Sequence, residues 1–152
     1  METKKLIEQL KTGTGLARAR AASELGKTKE LSAINALISV LDDPNLAVRN
    51  NATFALAETG SMEAIPRLIK ALDDGEECIR TSAAKGLGLL RAREAVPGLI
   101  KLIEDSSYVV KKNAIRSLGK IKGDKAIQAL KEASASDDPQ VSHMARKVLE
   151  NL

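Results

Sequence analysis

Hydrophobic positions in this chain recur on two superimposed periods. Over short stretches they follow helical spacing. Ile34, Leu37, Ile38 and Leu41 stand at i, i+3, i+4 and i+7, and Val48, Ala52, Ala55 and Leu56 form a second stripe of similar spacing. Over longer distances the pattern returns every 31 residues. Leu25, Leu56, Leu87, Leu118 and Leu149 make one column, and Ala21, Ala52, Ala83, Ala114 and Ala145 another. Ala33, Ala64, Ala95 and Ala126 make a third, each followed by Ile or Val; Leu37, Leu68, Leu99 and Leu130 make a fourth. A polar column runs Arg18, Arg49, Arg80, Lys111 and Ser142. Five columns in one register define five units, at about 1–29, 30–61, 62–92, 93–122 and 123–152.

Each unit is expected to hold two helices. The first helices are predicted near 2–12, 31–41, 63–72, 94–103 and 124–134, and the second near 15–26, 45–58, 76–90, 107–120 and 139–151. Asp43-Pro44 and Asp138-Pro139 read as N-cap and N1 pairs, because Asp accepts orphan N–H groups and Pro has none to lose. Gly26, Gly60, Gly75 and Gly123 fall between helices, where a left-handed turn is expected. Pro66 and Pro97 fall in or near the first turn of a first helix. A lone pair cannot bury its apolar face, so neighbours must stack, with terminal pairs as caps. The expectation is an all-α fold, one domain over 1–152 with no linker and about ten helices.

Two stretches carry a family resemblance: Asp42 to Ala52 (DDPNLAVRNNA) and Glu63 to Asp74 (EAIPRLIKALDD). With Ala84-Lys-Gly-Leu-Gly88, they resemble the phycobilisome-lyase (PBS lyase) type of HEAT-like repeat. The resemblance implies an armadillo-like α-solenoid, a right-handed α-α superhelix with second helices on its concave side. It speaks for the repeat and says little of function. Ankyrin and TPR periods are close, but their Thr-Pro-Leu-His and Trp-containing signatures are missing. The fifth unit diverges, with Ser142 in the basic column and Lys131 and Ser134 at otherwise apolar positions.

Composition sharpens this picture in three ways. Apolar residues make up 43% and charged residues 29%, as in ordinary folded chains, yet there is one Phe, one Tyr and no Trp. Such a core must close on Ala, Leu, Ile and Val, which suits layered helices. One cysteine, Cys78, excludes an intrachain disulfide and a Cys-based zinc site. The opening residues lead into an amphipathic stretch and no apolar run reaches membrane length, so the expected location is cytoplasmic, with no membrane partner.

Charge points to a face. With Asn50 at zero and about 100° per residue, Phe54 falls near 40°, Glu58 near 80° and Asn51 near 100°, away from the buried stripe. Carried along by 31, the first units give Arg20 and Lys27, then Asn50, Asn51, Phe54 and Glu58, then Thr81, Ser82, Lys85 and Leu89. The later units give Lys112, Asn113, Arg116 and Lys120, then His143, Met144 and Lys147. Seven cations against Glu58 give this candidate groove a formal +6, leaving −2 on the rest of a +4 chain. A basic, aromatic-poor face suits acidic protein segments or a phosphate backbone.

Catalytic chemistry finds little foothold. The acidic pairs Asp42-Asp43, Asp73-Asp74 and Glu104-Asp105 recur with the repeat, which fits helix caps and an Arg–Asp ladder better than an active site. His143 is the only histidine. No Ser-His-Asp set, phosphate-cradling Gly loop or dinucleotide fingerprint is present. Deoxyhypusine hydroxylases share a similar scaffold but need His-Glu motifs for iron, which this chain lacks. The first expectation is therefore a non-catalytic scaffold that binds an acidic protein and needs no cofactor or metal. A nucleic-acid backbone is the second expected partner class. A third reading, implied by the resemblance, is a subunit of a bilin-lyase-like enzyme. The chain itself is expected to be monomeric or weakly self-associating.

Overall fold

A computed structural model describes residues 2–152, and every regular element in it is helical. The first helices of the five pairs are α1 (Glu2–Thr12), α3 (Leu31–Ser39), α5 (Ile65–Ala71), α7 (Val96–Leu102) and α9 (Asp124–Ser134). The second helices are α2 (Gly15–Gly26), α4 (Leu46–Glu58), α6 (Glu77–Leu89), α8 (Tyr108–Ile121) and α10 (Pro139–Glu150). These are the repeating helix pairs of an α-solenoid. Contacts group into two compact units, one ending at Leu68 and the other beginning at Ile69.

The repeat columns are the core. Leu25, Leu56, Leu87 and Leu118 are fully buried, as are Leu37, Leu68, Leu99 and Leu130 on the first helices. Ala21, Ala52, Ala83, Ala114 and Ala145 lie at or below 1% exposure. Leu149, the fifth member of its column, is only half-buried. Each buried Leu contributes about 1.5–3 kcal/mol by leaving water.

Helix starts depart from expectation where Pro is involved. Pro139 does occupy N1 of α10, with Asp138 accepting from the Gln140 N–H at 2.9 Å. Asp43, by contrast, is not a cap. Asn45 caps α4, accepting from Val48 N–H at 3.2 Å, while Asp43 accepts from Asn45 N–H at 2.9 Å and braces the preceding turn. Asp74 and Asp105 do the same for Glu76 and Ser107. Pro66 and Pro97 follow 3-10 turns at Met62–Ala64 and Arg93–Ala95, so α5 and α7 begin later than predicted. Each Pro is the second residue of its helix, where its missing N–H would have had no intrahelical partner, and Ile65 and Val96 before them are themselves helical.

Left-handed turns are also placed differently. Gly60 and Gly123 have positive φ as expected, but Gly26 ends α2 and Gly75 does not adopt that conformation. The other positive-φ residues are Lys29, Arg91 and Lys122. With Gly60 they form another 31-residue column, the turn after each second helix. Only one member is Gly, which is why composition did not reveal it.

Candidate functional site

The second helices line up side by side within each unit: α2 with α4 in the first, and α6, α8 and α10 in order in the second. Small residues set their spacing. A Cβ on Gly26 would stand 2.8 Å from Ala55 Cα. One on Gly88 would stand 2.7 Å from Ser117 Cβ, and one on Gly119 2.4 Å from Val148 Cγ1. Each contact joins residues 29 apart, so one geometry repeats. Side-chain amides and hydroxyls cross the same seams. Asn51 Nδ2 donates to the Ala19 carbonyl at 2.8 Å, and Ser117 Oγ donates to the Ala84 carbonyl at 2.6 Å.

These lateral contacts narrow the candidate face. The expected stripe allowed for one buried side on each second helix, but Thr53 and Ala57 of α4 are buried as well. Asn113, at 8% exposure, turns its amide to Val109 of its own helix, and Met144, at 7%, packs inward; both are corrections to the expected groove. They share a column with Asn51 and Ser82, which are half-buried. In α4 this position faces α2, and in α10 Met144 lies beneath the surface beside α8.

On each second helix the remaining positions form an open sector. Arg20, Lys27, Lys85, Leu89, Arg116, Lys120, His143 and Lys147 are exposed. Asn50, Phe54, Glu58, Thr81 and Lys112 are half-buried, and Thr81 Oγ1 is buried with no hydrogen-bond partner among the described residues. Leu16 at 64% exposure and Val109 at 41% stand in the same sector, with half-buried Cys78 between them in sequence. Sequence reasoning left this column out, although the same helical arithmetic puts its α4 member, Ala47, near 60°.

The cations of the sector differ in their partners. Lys27 pairs with Glu24 at 2.8 Å, and Lys112 lies 5.9 Å over the Tyr108 ring. Arg20, Arg116, Lys120 and Lys147 make no ion pair among the described residues. Their counter-charge must come from solvent or from a partner.

The cations that recur on the 31-residue period are structural. Arg18 grips Asp43 with both terminal nitrogens and donates from Nε to the Leu10 carbonyl at 2.9 Å. Arg80 holds Asp105 at 2.9 and 3.2 Å and also donates to the Asp74 carbonyl at 2.9 Å. Lys111 reaches Asp138 at 2.8 Å, two residues further along than the other pairs because the fifth loop is displaced. These are the rungs of the expected ladder. Burial pushes the Asp43 and Asp105 carboxyls up, but their Arg partners and neighbouring N–H groups outweigh it, so both sit below the ordinary carboxylate range. The hydrogen bond from Lys111 does the same for Asp138. The first acids of the pairs serve differently: exposed Asp42 meets half-buried Arg67 at 3.4 Å, and exposed Asp73 meets exposed Lys101 at 3.2 Å.

No set of His, Cys, Asp or Glu among the described residues could hold a metal, and no described helix is long and apolar enough to cross a membrane. Stacked helix pairs with buried Leu and Ala columns define a repeat protein of the α-solenoid class. The particular repeat follows from comparison: a model of HEAT repeats matches residues 3–84 and 66–150, and the chain belongs to that family. No curated protein matches the sequence. Among solved structures, one similar chain comes from the complex of CpcE and CpcF of phycocyanin lyase from Nostoc sp. PCC7120. It has 27% identity and a TM-score of 0.83, over 99% of this chain and 64% of that one. This chain therefore spans less than two thirds of that relative. It is the HEAT-like kind of protein that the sequence resembles. An engineered protein shares the fold at 24% identity and a TM-score of 0.69, covering 99% and 79% of the two chains. Human deoxyhypusine hydroxylase shares it at 15% and 0.53, covering 97% and 83%.

Proposed function

We propose that this chain is a non-catalytic scaffold that binds an acidic protein segment on the open sector of its second helices. The observation that carries the reading is that Arg20, Arg116, Lys120 and Lys147 make no ion pair among the described residues, while the cations of the period-31 ladder are committed to Asp43, Asp105 and Asp138. Arg offers carboxylates a bidentate fork and Lys a point charge, so both strengthen contact and speed encounter with an acidic partner. On this proposal the five repeats form one domain.

A second reading is a subunit of a lyase-type complex, favoured by the likeness to a chain of a two-protein phycocyanin lyase complex. The side chains of the open sector supply no acid–base pair of their own, so on this reading the partner brings the chemistry. A nucleic-acid backbone is less well supported, because stacking aromatics are nearly lacking.

Co-purification from native extract with the wild type and with a Lys85→Glu, Lys112→Glu, Arg116→Glu variant tests the proposal. The expected result is a protein retained by the wild type and lost by a variant that still melts normally. Retention of the same partner by both proteins places binding elsewhere. Retention of duplex DNA with a steep salt dependence, and of no protein, transfers the face to nucleic acid.

A further inference from the structure

The second-helix face holds a cleft of about 350 Å³ between α8 and α10. Its rim carries Arg116 and Lys120 from α8 and Lys147 from α10. Gly119, Met144 and Val148 form its floor, and Asn151 and Leu152 complete the lining. The missing side chain of Gly119 lets Val148 close in beneath, so the floor is apolar and continuous. Two other clefts of the same unit differ in sign. One of about 400 Å³ is bordered by Glu104, Glu132 and Asp138 beside Lys111, and one of about 490 Å³ by Asp124 and Glu132 beside Lys125. The α8–α10 cleft has no acidic side chain, and none of its three cations makes an ion pair among the described residues.

This combination selects among anionic partners. A phosphate backbone needs cations along its path and aromatic faces for its bases, and it gains nothing from an aliphatic floor. The cleft offers no aromatic ring. A cavity of about 150 Å³ holds a benzene ring, so this one has room for a Leu or Phe side chain and the backbone that carries it. We propose that the cleft receives one apolar side chain of an acidic protein segment, with carboxylates on its flanking residues meeting Arg116, Lys120 and Lys147. The apolar anchor supplies burial at the centre and the charged rim supplies selectivity, as in interface hot spots. The proposal rests on the reading of the open sector as a protein-binding face and names what one part of it recognises.

The probe is a short labelled peptide of Asp, Glu, Gly and Ser with a single central Leu, against the same peptide with Ser for Leu and a single-stranded oligonucleotide of equal charge. Fluorescence anisotropy gives affinity, and amide chemical shifts of the protein locate the contact. The Leu peptide is expected to bind, the Ser peptide about tenfold more weakly, and the shifts to centre on residues 116–120 and 144–148. Arg116→Gln with Lys147→Gln is expected to weaken the Leu peptide about tenfold while the circular-dichroism melt is unchanged. Equal binding of the Leu and Ser peptides, or tighter binding of the oligonucleotide, overturns the proposal. Shifts confined to the Lys85 and Lys112 region refute the cleft and leave the wider face standing. No shift on any second helix at millimolar peptide refutes both.

Discussion

Arg80 and Asp105 show how one repeated side-chain pair holds a loop to a helix. The guanidinium bonds two carboxylate oxygens and a backbone carbonyl at once, and both side chains are largely shielded from water, at 15% and 10% exposure. Removing one partner strands the other, so Arg80→Ala should lower stability by about 2 kcal/mol in chemical denaturation. An unchanged melt would show that the ladder is decorative. The pair also predicts a pH dependence. The Asp105 carboxyl is depressed in the folded state, so its stabilisation is complete above the ordinary value of about 3.9 and disappears as pH falls through the lower folded value. Stability should fall between neutral pH and strong acid, and Asp105→Asn should fall less over the same range. A variant that follows the wild-type acid curve contradicts this.

At the scale of the helix, small residues decide how closely second helices approach. Gly88→Ala forces a methyl against Ser117, whose Cα would lie 2.9 Å away, and should cost about 1–3 kcal/mol in unfolding measurements. Gly75→Ala meets no atom within 4 Å and lies outside the left-handed region, so it should be neutral or slightly stabilising. If both behave alike, the spacing is not set at Gly88. Most elements were legible in sequence because buried Leu and Ala recur without a break on the 31-residue period. The ladder was legible for the same reason. The seams were not. Asn51 and Asn113 look like solvent-facing polar residues, yet one bonds across to Ala19 and the other folds back onto Val109. A helical wheel assigns one buried side, whereas a second helix in an array is covered on its flanks too. The turn column of Lys29, Gly60, Arg91 and Lys122 was hidden because the backbone conformation repeats while the residue type does not.

For the whole chain, the reading of five repeats as one domain has a direct thermodynamic consequence. Nearest-neighbour coupling should give one unfolding transition, seen at the same temperature by helical circular dichroism and by calorimetry. Two resolved transitions would mean that the parts on either side of the division at Leu68 and Ile69 fold independently. The functional claim also belongs to this scale, since the lysines proposed to meet a partner stand on the second helices of several repeats. Zero-length carbodiimide cross-linking tests it most directly, because it joins lysines only to carboxylates in contact. With a co-purified acidic partner, links are expected at Lys85, Lys112, Lys120 and Lys147. Links concentrated instead at Lys4, Lys5, Lys101 and Lys125, outside the open sector, would contradict the account.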